Sequence, residues 1–191
     1  MSTASVTARP GAVLADLLPA SRVRDAAVVL GGAALTGLAA QIAVPVPGSP
    51  VPVTGQTFAA LLVGTTLGAR RGFAALALYA VAGLAGVPWF AQGGSGASVS
   101  FGYVLGMLLA AAAVGALARR GADRSPLRMA GTMLLGEAII YAVGVPYLAF
   151  AAHMSATAAI AAGLTPFLIG DALKAALAMG AMPTAWKLLK R

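Results

Sequence analysis

Three ionisable side chains, Glu137, Asp171 and Lys174, lie inside long apolar runs. On insertion scales each costs about 2.5–3.5 kcal/mol at the centre of a bilayer, so each is by default a functional residue with a partner to be named. Asp171 and Lys174 are three residues apart and share one face of a helix. They can simply neutralise each other. They can also present acceptors and donors side by side to a ligand with neighbouring N–H and C=O groups. A purely structural pair more often joins two helices, which favours the ligand reading. From a helix start near residue 165, the two lie roughly 9 and 14 Å along the axis. Glu137 reads as structural: it pairs with Lys174, gives up its charge, or caps a polar gap between helices.

The elements that must hold these residues are membrane spans. Of 191 residues, 60% are hydrophobic and 9% charged, against about 25% charged in a soluble domain. A spanning helix takes about 20 apolar residues, and the chain offers six such stretches at roughly 26–44, 55–69, 72–90, 101–118, 128–150 and 164–186. Pro45, Pro47, Pro50 and Pro52 end the first stretch, Gly93, Gly94 and Gly96 follow the third, and Gly163 and Pro166 flank the start of the sixth.

Of thirteen Lys and Arg residues, all but Lys174 fall outside those stretches or, as Arg128 does, at their edge. Arg9, Arg22 and Arg24 precede the first, Arg70 and Arg71 follow the second, and Arg119, Arg120, Arg124 and Arg128 follow the fourth. Lys187, Lys190 and Arg191 end the chain. The alternate connections, at roughly 45–54, 91–100 and 151–163, carry neither residue, which under the positive-inside rule sets both termini in the cytoplasm. The expected fold is an all-α membrane protein, a bundle of six transmembrane helices. Residues 1–24 form a cytoplasmic leader, loose over its first twenty residues, and 25–191 the bundle.

The formal charge of +8 is topogenic and does not signal nucleic acid, since no aromatic-interleaved basic patch accompanies it. One histidine and no cysteine argue against a metal site and an intramembrane enzyme. No GxxxxGK[ST] motif supplies a P-loop. The first span carries two small-residue pairs four apart, Ala27/Gly31 and Ala33/Gly37, whose spacing lets another helix approach closely.

Two charge-free connections are unusual. Val44–Thr57 reads as a stiff, polyproline-like strap that ends on Thr54, Gln56 and Thr57. Gly86–Tyr103 combines a glycine-rich centre with Trp89, Phe90, Phe101 and Tyr103. Together they suit the lid of a mostly apolar pocket, while Trp89 fits an interfacial aromatic belt equally well.

The runs PVPVTGQT (Pro50–Thr57), LYAVAGLAGVPWFAQGGSG (Leu78–Gly96), SFGYVLG (Ser100–Gly106), LGEAIIYAVGVPYLA (Leu135–Ala149) and TPFLIGDALKA (Thr165–Ala175) resemble the BioY family. Its members are the biotin-binding substrate-specificity subunits of energy-coupling-factor (ECF) transporters. The resemblance implies a six-helix bundle in the cytoplasmic membrane with its pocket toward the outer face, and uptake of biotin by a chain that is not an enzyme. It implies ligand contacts from Asp171 and Lys174 first, then Gln56 and Ser95, with Tyr103 and Tyr147 packing on the bicyclic ring. No cofactor is implied for this chain; ATP is used by partner ATPases, joined by a transmembrane coupling subunit docked at Ala33 and Gly37. A sister subunit for another vitamin and a self-sufficient homo-oligomer are the competing readings.

Overall fold

The computed structural model describes residues 11–189, so Arg9, Lys190 and Arg191 of the expected charge pattern lie outside the described residues. The chain is mostly helical. Its α-helices are α1 (Arg22–Ala40), α2 (Gln56–Leu67), α3 (Ala69–Leu84), α4 (Phe101–Arg119), α5 (Pro126–Ala151), α6 (Ala156–Gly163) and α7 (Leu168–Leu189). Ser21, Ser125 and Ser155 cap α1, α5 and α6 by accepting the N–H groups of Arg24, Arg128 and Ala158, which satisfies donors the first helical turn leaves open. Four helical stretches, Arg22–Ala40, Phe101–Arg119, Pro126–Ala151 and Ala156–Leu189, are long and apolar enough to cross a membrane. The chain is a multi-pass membrane protein.

Three expectations are corrected here. The second and third spans are shorter than expected, 12 residues in α2 and 16 in α3. Gly68, at φ 80°, breaks the chain between them, and Gly86, at φ 102°, follows the end of α3. A 12-residue helix is only about 18 Å long. It is tolerated because α2 runs through the interior, with Ala59, Ala60, Leu61, Val63 and Gly64 buried. The connection at 151–163 is not a simple loop but contains α6, and α7 begins at Leu168 after a single 3₁₀ turn, Thr165–Phe167. The strap after α1 is a hairpin: Ala43–Val44 pairs antiparallel with Val53–Thr54, and the chain reverses where Ser49 N–H donates to Val46 C=O beside Gly48 at φ 77°.

Helix α4 is the centre of the bundle, packed on α2, α3 and α5. Glycines set these distances. A Cβ at Gly64 would overlap the Ala111 backbone, and one at Gly115 would overlap the backbone at Gly68 and Ala69. The helices therefore approach closely, as small residues allow where lipid supplies no hydrophobic drive.

One end of the bundle gathers the basic residues. Here the leader is not loose throughout: residues 11–18 lie against the bundle with Val13 and Ala15 buried. Arg71 pairs with Asp16 and, at 3.2 Å, with Asp25. Arg119 reaches Asp16 at 3.3 Å, and Arg119 and Arg124 donate to the Gly11 and Ala12 carbonyls. Partial burial opposes the charge on Asp16, but Arg71, the Val13 N–H and Arg119 outweigh it and hold its carboxyl below the usual value. Such a group stabilises the fold above its ordinary pKa near ~4, and that contribution is lost as pH falls through the lower folded value. Taking the protein from pH 7 to pH 3 is therefore expected to raise amide exchange over residues 11–18. Asp16→Asn should bring the same loosening to pH 7 and flatten the pH response. The effect is modest, since exposed pairs contribute about 1 kcal/mol or less.

Candidate ligand-binding site

At the opposite end, the hairpin folds over a small cavity lined by Val51, Thr54, Gln56, Thr57, Tyr103, Tyr141, Asp171 and Lys174, among others. The positions follow from local structure. Gln56 and Thr57 open α2 directly after the hairpin, and Asp171 and Lys174 lie one turn apart near the start of α7. Tyr103 and Tyr141 come from α4 and α5 and meet edge to face, their ring centres 6.4 Å apart. Tyr103 fits because Gly144 and Gly163 leave room for its ring and hydroxyl; that hydroxyl donates to the Gly163 carbonyl at 2.7 Å.

Four of the polar groups, Thr57, Lys174, Asp171 and Tyr141, form one connected chain. Lys174 Nζ donates to Asp171 Oδ1 at 3.0 Å and to Thr57 Oγ1 at 2.8 Å, and the Tyr141 hydroxyl donates to Asp171 Oδ2. Gln56, which also lines the cavity, accepts at Oε1 from the Tyr79 hydroxyl at 2.9 Å, which leaves its amide N–H donors unspent. Asp171 and Lys174 are both nearly buried. A buried ion pair survives only when further hydrogen bonds satisfy its remaining donors and acceptors, and Thr57 and Tyr141 supply these. The cavity measures about 30 Å³, room for about two waters at ~10–15 Å³ each. On the far side of the Tyr141–Asp171 contact, an apolar groove of about 640 Å³ runs between α5 and α7, and Glu137 lines it.

Asp171, Lys174, Gln56 and Tyr103 thus come together as expected from sequence, and Ser95 and Tyr147 do not. Ser95 is exposed in the glycine-rich loop. That loop is pinned from behind: Phe90 is buried against Tyr79 and Phe101. Gln41 donates to the Trp89 and Phe90 carbonyls and accepts from Gly93 N–H. Ser100, five residues on, lines the cavity instead. Tyr147 packs against Phe101 and over Gly102. The expected docking pair is also corrected: Ala33 is 1% exposed, and Gly37 lies under the Trp89 ring. Trp89 itself donates to the Tyr79 carbonyl at 3.0 Å. Sequence reasoning missed Tyr141 and Tyr79 as partners of the site. Tyr141 lies one helical turn from Glu137 on a span already marked by its buried charge, a signal that could have found it.

Among the described residues no three His, Cys, Asp or Glu side chains gather as metal ligands would. The BioY family model matches residues 9–191. The biotin transporter BioY2 of Lactococcus lactis subsp. cremoris is 34% identical over 149 residues, 76% of this chain and 81% of that one. A probable biotin transporter BioY of Pyrococcus horikoshii is 32% identical over 158 residues, 83% of this chain and 93% of its own. The fold is that of a crystal structure of the S-component for biotin from an ECF-type ABC transporter, with a TM-score of 0.78 at 20% identity, covering 88% of this chain and 95% of that one. With a family match across nearly its whole length, this chain belongs to the BioY family.

Proposed function

We propose that this chain is the substrate-specific component of an ECF transporter and captures biotin for uptake across the cytoplasmic membrane. The observation that carries this is the Asp171–Lys174 pair at a roofed cavity, in a family whose relatives are named biotin transporters. The ureido ring of biotin has two N–H donors and one C=O. Asp171 accepts a ureido N–H, Lys174 or the Gln56 amide donates to the carbonyl, and the Tyr103 and Tyr141 rings pack on the bicycle. Lacking these partners, a polar ring would be costly to bury, and a plain fatty acid would leave the site's own groups unpaired. A cavity of about 30 Å³ is too small for the vitamin, so the hairpin over residues 43–54 moves aside on binding and closes again.

In this reading six spans cross the membrane, α6 and α7 together forming the last, with cytoplasmic ends and an outward pocket. The support is the charge alternation: the described basic residues other than Lys174 lie toward the end opposite the hairpin. The leader is 1–24 and the binding bundle 25–191. Energy comes from partner ATPases through a coupling subunit. Since Ala33 and Gly37 are covered, the partner surface assigned here is the outer face of α1. There Ala27 and Gly31 line a groove of about 460 Å³ with residues of α2.

The test is direct titration of the purified chain with biotin and with a panel of other vitamins, followed by uptake with and without the ATPase subunits. Biotin-selective binding with ATPase-dependent uptake is expected. Selective binding of another vitamin would overturn the substrate, and full uptake without ATPases would favour the self-sufficient homo-oligomer.

A further inference from the structure

We propose that Lys174 has two carboxylate stations, Asp171 in the empty site and Glu137 once a ligand occupies Asp171, so that Glu137 is a positioning residue for binding. The ligand half of this inference rests on the biotin reading; the geometry does not. Helices α5 and α7 run antiparallel. Asp123, just ahead of α5, accepts from Trp186 near the end of α7 at 2.6 Å, while Tyr141 and Asp171 meet toward the other end. From that meeting point Glu137 is four residues back along α5 and Lys174 three residues on along α7. At 1.5 Å per residue these are steps of about 6 and 4.5 Å in the same direction. Glu137 and Lys174 are therefore level with each other, one rung deeper than Tyr141 and Asp171.

Yet Lys174 does not use that rung. Its ammonium reaches up to Asp171 and Thr57, which take two of its three N–H donors. Glu137 is 7% exposed, and neither of its carboxyl oxygens has a hydrogen-bond partner. A buried carboxyl without a donor is among the costliest arrangements a membrane interior holds, so it marks a contact that forms in another state. A ligand N–H arriving at Asp171 competes with Lys174 for the same oxygens. The flexible four-carbon stem of lysine then lets the ammonium drop one rung to Glu137. Binding thus satisfies a group that the empty site leaves unmet.

Glu137→Gln is expected to weaken biotin binding about 10- to 100-fold, the ~1.5–3 kcal/mol of a hydrogen bond to a charged group. The melting temperature of the ligand-free chain should be unchanged or higher, and Glu137→Asp should recover part of the affinity. A merely structural Glu137 would instead lower the ligand-free melting temperature, or fail to fold on substitution, and either result overturns the proposal. A second arm needs no ligand. Asp171→Asn removes the upper carboxylate and commits Lys174 to Glu137, so Glu137→Gln should now lower the melting temperature although it does not in the wild-type background. Equal effects in the two backgrounds would overturn the switch. Failure of the wild-type chain to bind biotin would overturn the proposed function alone, and the second arm would still decide this one.

Discussion

Asp171→Asn is expected to lower biotin affinity by about two to three orders of magnitude, roughly 3–4 kcal/mol at 1.4 kcal/mol per factor of ten. The substitution is nearly isosteric, so it leaves the packing of α7 intact while replacing one anionic acceptor by an amide that both donates and accepts. In the bound state the charge-assisted contact proposed to the ureido N–H is lost, and that buried N–H is left facing an amide that can turn its own donor toward it. A hydrogen bond to a charged group is worth about 1.5–3 kcal/mol and a buried donor left unmet costs about 1–3 kcal/mol; the Lys174–Asp171 contact does not add to the loss, because it belongs to the ligand-free state. Isothermal titration of the purified variant against wild type measures it. Tyr141→Phe, which removes a single donor to Asp171, should cost about tenfold by the same reasoning. Unchanged affinity in Asp171→Asn would remove this residue from the site.

Gly64→Leu is expected to abolish the assembled bundle. A Cβ alone at this position overlaps the Ala111 backbone and the Val114 side chain, and backbone cannot move aside as the end of a flexible side chain can. Overpacking a core usually costs about 1–3 kcal/mol and more where nothing can yield. Here α2 and α4 would have to separate, taking with them Gln56 and Thr57 at the mouth of the cavity. The readout is monodisperse yield after extraction and biotin binding in whatever remains, both expected near zero. Gly31→Leu is the matched control, because a side chain there meets nothing within 4 Å. It should fold and bind biotin as wild type does, and on the partner surface proposed for α1 it should lose co-purification with the coupling and ATPase subunits. A well-folded Gly64→Leu chain would show that the close α2–α4 approach is not required.

How much of this was legible beforehand follows a physical division. Membrane insertion responds to local, linear properties: runs of apolar residues, prolines that cannot continue a helix, and the placement of arginine and lysine. These were readable one segment at a time, and so were Asp171 and Lys174, because a charge inside an apolar run stands out against its own neighbours. Helix α6 escaped because an apolar, alanine-rich stretch without charge looks the same in a loop as in a short capped helix. The shortness of α2 was legible in part, since 55–69 is the shortest of the six stretches, but the burial inside the bundle that makes 12 residues acceptable there is a tertiary property.

The site divides the same way. From its residues alone, the chain determined that it lives in a bilayer, where its long apolar helices lie, though not α6 or the early end of α3, and that an acid–lysine pair on the last helix needs partners. Tertiary structure decided who those partners are. Whether a residue faces a cavity depends on the rotation of its helix and on what pins its loop, and both are set by contacts distant in sequence. Gln41 and Phe90 turn the glycine-rich loop so that Ser100 faces inward and Ser95 faces out. Trp89 covers Gly37, leaving Gly31 as the open glycine of α1. The antiparallel run of α5 beside α7 puts Tyr141 on Asp171 and leaves Glu137 level with Lys174 without a partner. Spacing within one helix cannot reveal that arrangement, because it is a relation between two.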